Sequence, residues 1–257
     1  MLFRSLGALR EALTSGTLRP AQRMVAAMHP AEVASMLESL PPRQRELVWE
    51  FVDKEIEGDV LVELNENVRN ELIEEMETAE LVAAAKGMEL DDLADLVRDL
   101  PETVTLQVLR SMDQRDRERL RNVLAWPDDS AGGLMNTDTV SVRPDVTLEV
   151  VLRYLRMRGD LPPRTDSLFV VDRDDRYLGT IGLTRIITGD PDDAVGDSLD
   201  TDAPRIEPDT AAHEVAQLFQ DRDLVSAAVV GREGKLLGRI TVDDVVDVIR
   251  EIGRAHV

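Results

Sequence analysis

Residues 142 to 251 repeat themselves, and the repeat dictates the kind of fold. Val142-Arg143-Pro144-Asp145 opens one copy and Ile206-Glu207-Pro208-Asp209 the other. Each opening leads into an amphipathic stretch that predicts a helix, Leu148 to Met157 and Ala211 to Gln220. An apolar strand follows, Leu168 to Val171 and Ala227 to Val230, then a polar turn, Asp172 to Arg176 and Gly231 to Lys235. Next, Leu178-Gly179-Thr180-Ile181 matches Leu237-Gly238-Arg239-Ile240, and a helix closes each copy. A unit of this size leaves an apolar sheet face uncovered, so two copies are needed to bury each other.

The first half reads as helix throughout. His29 to Pro41 aligns without gaps to Glu89 to Pro101, sharing Ala34/Ala94, Leu40/Leu100 and Pro41/Pro101. Val33/Leu93, Met36/Leu96 and Leu37/Val97 are apolar matches, and Leu64 to Ile73 is a partial third copy. Proline starts helices well and stops the one before. Leu93, Leu96, Val97 and Leu100 fall at helical spacing and predict one buried stripe. Stacked units of this kind form superhelices. Aromatic residues are only 3% of the chain, which suits an Ala/Leu/Val core in which Trp49 and Phe51 fill core or groove positions.

Opposite that stripe stand Asp92, Asp95 and Asp99, with Asp91 one turn before Asp95. Carboxylates three or four apart on a helix repel one another. Such a face is either simply solvated or one side of a site for a hard cation, which takes oxygen ligands. In the last predicted helix, Val242, Val245, Val246 and Ile249 form one apolar face, and Asp244, Asp247 and Glu251 the opposite one. Six aspartates between Arg185 and Arg205 (Asp190, Asp192, Asp193, Asp197, Asp200, Asp202) read as a solvated loop.

A net charge of −21 repels nucleic acid and anionic membrane and attracts cations. With no cysteine there is neither a disulfide framework nor a thiolate metal site. No apolar run reaches the length of a membrane span, so these residues are expected to be soluble and cytosolic. The three histidines, His29, His213 and His256, are scattered, and no nucleophile–base set accompanies them, so no enzyme is expected. Met1 to Ser5 and Ile252 to Val257 read as translations of a short-read sequencing adapter in its two orientations. The native sequence is therefore expected to run from about Leu6 to about Arg250 or Glu251, inside a longer protein.

Val229-Val230, Leu237-Gly238-Arg239-Ile240-Thr241 and Asp243-Asp244-Val245 resemble a tandem pair of cystathionine-β-synthase (CBS) domains. In that family a Gly-x-Ile-Thr-x-x-Asp signature holds an adenine nucleotide, and Thr241 and Asp244 match it. In the first copy Gly182 and Arg185 replace them, so the resemblance supports at most one nucleotide site, with ATP as the occupant. Asp129-Ser130-Ala131-Gly132-Gly133-Leu134-Met135 joins this pair to the helical half. With His29-Pro30 and Leu90-Asp91-Asp92-Leu93-Ala94-Asp95, the whole resembles the cytosolic part of the MgtE family of magnesium transporters.

That resemblance implies an α + α/β fold: a right-handed helical superhelix (6–128), a first CBS domain (129–195) and a second (196–251). It also implies a homodimer through the CBS domains, a membrane domain further along the chain, and a place at the cytoplasmic face of the membrane. Carried over residue by residue, the Mg²⁺ ligands are Asp59, Asp91 and Asp95 on the helical side, with Asp92 adjacent, and Asp223, Asp244 and Asp247 on the CBS side. Mg²⁺ bridging these surfaces is expected to favour a closed state, with Asp129 to Met135 as the hinge. The alternatives are a soluble CBS adaptor sensing adenine nucleotides and an acidic interaction module without a ligand.

Overall fold

The computed structural model describes residues 18–86 and 88–255, the last five by backbone alone. The chain forms two compact units that divide between Arg117 and Glu118. Of the two ends read as adapter-derived, Met1 to Ser5 and His256–Val257 lie outside the described residues, whereas the backbone from Ile252 to Ala255 continues the last helix.

The first unit is built from short helices: α1 (Leu18–Val25), α2 (Pro30–Glu38), α3 (Pro42–Trp49), α4 (Glu57–Glu63), α5 (Glu66–Glu75), α6 (Thr78–Ala85), α7 (Leu90–Asp99), α8 (Glu102–Ser111) and the start of α9 (Gln114–Leu124). Their N-caps are His29, Pro41, Asn65, Glu77, Glu89 and Pro101, which recur at steps of 12 or 24 residues. Asp113 continues the series by accepting from the Asp116 amide through its carboxylate. At the missing step Asp53 closes a turn instead, accepting from the Ile56 amide and delaying α4 to Glu57. The gapless match of His29–Pro41 to Glu89–Pro101 is thus five periods of a finer twelve-residue repeat.

Alternate helices stack along one series, α2 on α4, α4 on α6 and α6 on α8. The stripe Leu93, Leu96, Val97, Leu100 is buried as expected, and Trp49 and Phe51 are half-buried. Helix ends leave carbonyls without helical partners, and the next helix supplies donors at a fixed offset. Arg45 Nε and Nη2 donate to the carbonyls of Leu37 and Leu40 at 3.1 and 3.2 Å. Arg117 does the same to Leu109 and Met112 at 2.7 and 2.9 Å. At the same position of another repeat the Thr105 hydroxyl reaches the Val97 carbonyl at 3.4 Å. Buried Arg45 also pairs with Glu71.

The second unit holds two three-stranded sheets, ordered β1-β2-β3 and β4-β5-β6. Here β1 is Ser141–Val142, β2 Ser167–Val171 and β3 Tyr177–Gly182; β4 is Arg205–Ile206, β5 Ser226–Val230 and β6 Leu236–Thr241. In each sheet the first pair is parallel and the second antiparallel. The other helices are α10 (Ala131–Leu134), α11 (Leu148–Arg158), α12 (Leu183–Thr188), α13 (Ala212–Arg222) and α14 (Val242–Ala255). Alternation along β2 sends Leu168 and Val170 into a core with Leu148, Val151 and Ile186. Phe169 faces the other way, onto Ala228 and Val230 of the second sheet. The two β-turns are also joined: Tyr177 donates its amide to Gly234 and Leu236 its amide to Asp175, at 2.8 and 3.3 Å.

On α14 the apolar face is only partly covered: among its described side chains Val245 and Val248 are buried, while Val242, Val246 and Ile249 are 39%, 39% and 48% exposed. One expectation is corrected. The stretch Asp129 to Met135 is no free joint, because it is built into the second unit. Ala131 and Gly132 donate to the carbonyls of Thr210 and Pro208 at 2.7 and 2.8 Å, and Ala212 donates back to Asp129 at 2.8 Å. Ser130 caps α10 through Gly133, and both glycines are buried in helical backbone. They are there for close approach: a Cβ on Gly132 would lie 2.3 Å from the Trp126 ring, and one on Gly133 2.3 Å from the Pro127 carbonyl oxygen.

Gly132→Ala is therefore expected to lower thermal stability by about 1–3 kcal/mol, an overpacking cost. Gly182→Ala, whose Cβ meets nothing within 4 Å, should leave the melting temperature close to the unsubstituted chain's. Calorimetric melting of both variants checks this.

Candidate functional site

The acidic residues carried over as ligands differ sharply in environment. In the first unit, Asp91 stands in the opening turn of α7 and is only 8% exposed. Asp92 beside it is half-buried, and Asp95 and Asp59 are exposed. Burial, then the neighbouring charges of Asp92 and Glu89, raises the Asp91 carboxyl from its ordinary 3.8 to about 8. Backbone N–H groups at the helix start oppose this only in part. Asp95 accepts from Arg98 Nη1 at 2.6 Å, and Asp99 pairs with Arg69.

Glu57, in the first turn of α4, is another buried acid among the described residues of this unit, at 7% exposure, and its carboxyl is raised by burial. Reading the sequence pointed to Asp59 on the same turn and passed over Glu57. The only available signal was the adjacent Gly58, where a Cβ would lie 2.7 Å from the Ala84 carbonyl oxygen and so marks a close helix contact.

In the second unit Thr241 is buried where β6 meets α14. Its amide donates to Asp244 at 2.8 Å, and its hydroxyl lies against both Asp243 and Asp244. This is a helix N-cap in form, since a carboxylate three residues on satisfies the amide at the helix start. In the first CBS copy Gly182 leaves α12 without a side-chain cap, and the Arg185 guanidinium reaches Ser198 and Asp193. The departure seen in sequence is thus a different local structure. Asp247 lies one turn beyond Asp244, exposed, with Arg250 Nη1 at 2.9 Å. Asp223 ends α13 with left-handed backbone (φ 51°) and is exposed. It lies two residues before Val225, whose carbonyl accepts the Val242 amide at the head of α14. Asp223, Asp244 and Asp247 therefore belong to one end of the α13–α14 pair.

Among the described residues, no three His, Cys, Asp or Glu side chains are placed to hold a metal ion by themselves. The fit to a hard cation rests on donor chemistry: every candidate offers a carboxylate, and Asp91 is a buried acid whose ionised form a cation would stabilise.

Comparison with known proteins decides the family. Residues 28–129 match the family model of the MgtE intracellular N domain, and residues 131–191 and 195–251 match CBS domains. The chain is 30% identical to a solved cytosolic domain of the Mg²⁺ channel MgtE in complex with ATP. The two superpose with a TM-score of 0.84 over 95% of this chain and 99% of that one. The chain belongs to the MgtE family. The magnesium transporter MgtE of Thermus thermophilus is 31% identical over 94% of this chain and 54% of its own length. That of Bacillus subtilis is 23% identical over 92% and 52%. This MgtE-family chain thus spans about half the length of the curated relatives it matches. A second solved structure, the soluble part of a magnesium transporter, shares the fold at a TM-score of 0.79 and 23% identity, covering 98% of this chain and 99% of that one. The matched domains are regulatory rather than catalytic. Among the described residues no helix is long and apolar enough to cross a membrane.

Because folded Asp91 keeps its proton up to about pH 8 and the unfolded carboxyl releases it near 3.8, stability falls as pH rises through that interval. Asp91→Asn removes the penalty. Melting without divalent cations should show the variant several degrees more stable at pH 8 and little different near pH 4.5.

Proposed function

We propose that this chain is the Mg²⁺-sensing regulatory region of a magnesium transporter or channel, at the cytoplasmic face of the membrane. In this reading residues 6–128 form the N domain, 129–195 and 196–251 the two CBS domains, and a membrane domain belongs to the full-length protein. Mg²⁺ joins the acidic surface carrying Asp59, Asp91, Asp92 and Asp95 to that carrying Asp223, Asp244 and Asp247. The observation that carries this is buried Asp91, whose carboxylate is costly to ionise alone and gains most from a cation. Without cations the two acidic surfaces repel, and divalent ions convert the repulsion into attraction. Sites that draw ligands from both domains bind best in the closed arrangement, so rising Mg²⁺ shifts the population towards it. Because most of the candidate ligands, Asp59, Asp95, Asp223 and Asp247, are exposed, the ions keep much of their water and the response is weak, in the millimolar range of free cytosolic Mg²⁺.

A homodimer through the CBS domains is supported by apolar residues left on their surface. Val242, Val246 and Ile249 recur along α14, and Ile187 on α12 and Met157 on α11 are 68% and 79% exposed. Val246→Asp with Ile249→Asp should convert a dimer to monomers in sedimentation velocity, with the fold retained by circular dichroism.

The nucleotide reading is favoured by one observation beyond the motif. Arg239, 3% exposed on β6, donates Nη2 to the Pro163 carbonyl and leaves Nε buried without a partner. ATP is the proposed ligand at Thr241 and Asp244, consistent with the ATP complex of the MgtE cytosolic domain.

Small-angle scattering with and without about 10 mM Mg²⁺ tests the main reading. Compaction is expected, and a chain with Asp91, Asp95, Asp244 and Asp247 all changed to Ala should lose it. Unchanged dimensions with Mg²⁺, but a calorimetric signal with ATP, would favour the nucleotide sensor instead.

A further inference from the structure

One candidate Mg²⁺ ligand on each unit carries a feature that the sensing reading does not use. Asp95 on α7 and Asp247 on α14 each carry an arginine three residues later on the same helix. In both, Nη1 of that arginine meets Oδ1 of the aspartate, Arg98 at 2.6 Å and Arg250 at 2.9 Å. The carboxylates stay open to solvent, Asp95 at 56% and Asp247 at 60% side-chain exposure, so a hydrated cation can reach them. The Arg250 side chain is 59% exposed and that of Arg98 22%, against 9% for Arg45.

We infer that Arg98 and Arg250 are tethered counter-cations that compete with Mg²⁺ for Asp95 and Asp247 and so raise the Mg²⁺ concentration at which the chain responds. The inference rests on the bridging proposed above and deepens it by naming residues that set its threshold. A guanidinium held three residues away occupies its aspartate at high effective concentration. Mg²⁺ must displace it or share the carboxylate with a neighbouring positive charge, and both weaken the site. The aspartate of each pair is largely in solvent, so the effect of one pair is modest, about twofold in apparent affinity. Such a weak competitor tunes a threshold without abolishing binding. The arrangement also acts before Mg²⁺ arrives: the tethered cations partly neutralise each acidic face and limit its self-repulsion.

The test is a Mg²⁺ titration of the full chain followed by small-angle scattering, with MgCl₂ as the only added divalent salt. Arg98→Gln and Arg250→Gln should each lower the midpoint about twofold, and the double variant about fourfold if the two act independently. Arg98→Lys keeps a tethered positive charge and should stay near the unsubstituted midpoint. Arg232→Gln, which removes the same charge from a pair with Asp209 outside the ligand set, should not move it. An unmoved or raised midpoint in the glutamine variants, with an intact response, overturns the inference alone. An equal shift in Arg232→Gln also overturns it, because net charge would then account for the change. Loss of any response in the unsubstituted chain overturns the bridging reading and this inference together.

Discussion

Helices as short as these do not hold themselves together in water. Runs of 7 to 11 residues make up the first unit from α1 to α9, and isolated helices below about 12–15 residues are marginal. Their stability must come from neighbours, through apolar faces stacked helix on every second helix and through donors from the next helix that satisfy the carbonyl ends. Arg45, Thr105 and Arg117 do the latter at one repeated position. This is why an arginine can be buried in this unit: each nitrogen of the Arg45 guanidinium has an acceptor.

Much of this was legible in the sequence, and what was missed has physical causes. The CBS copies were readable because strands of alternating burial and their turns leave a strong local pattern, and the buried stripe of α7 because helical spacing is equally local. The twelve-residue period escaped because its marker is a backbone role rather than a residue type. His29, Pro41, Asn65, Glu77, Glu89 and Pro101 all start helices and share no side-chain chemistry. On α14 four apolar residues read as one face, and of these only Val245 is buried, with Val248 beside it. Periodicity reports where apolar residues lie around a helix and is silent on which edge of that arc meets the protein.

The glycine pair shows the same limit. Adjacent glycines permit unusual backbone, which suggested a hinge, yet Gly132 and Gly133 are helical and buried. Absence of a side chain has two uses, freedom and proximity, and sequence alone does not distinguish them. The Trp126 ring against Gly132 decides for proximity. Any relative motion between helical and CBS regions must then be taken up elsewhere than in Asp129 to Met135. The candidate ligands were likewise legible as residue types but not as environments. Asp91 and Asp95 sit a turn apart on one helix, one nearly inaccessible and the other largely in water.

The period of the first unit carries a consequence for how such a chain can change its length. Each step of twelve residues adds one helix, and the stacking of α2, α4, α6 and α8 links helices two steps apart. Removing one step would put a helix from outside that stack in the place of one that belongs to it. Removing two would leave the order of the stack unchanged. Length variation compatible with this architecture therefore comes in pairs of helices, 24 residues at a time, or is confined to turns such as that at Asp53, where the rhythm is already broken.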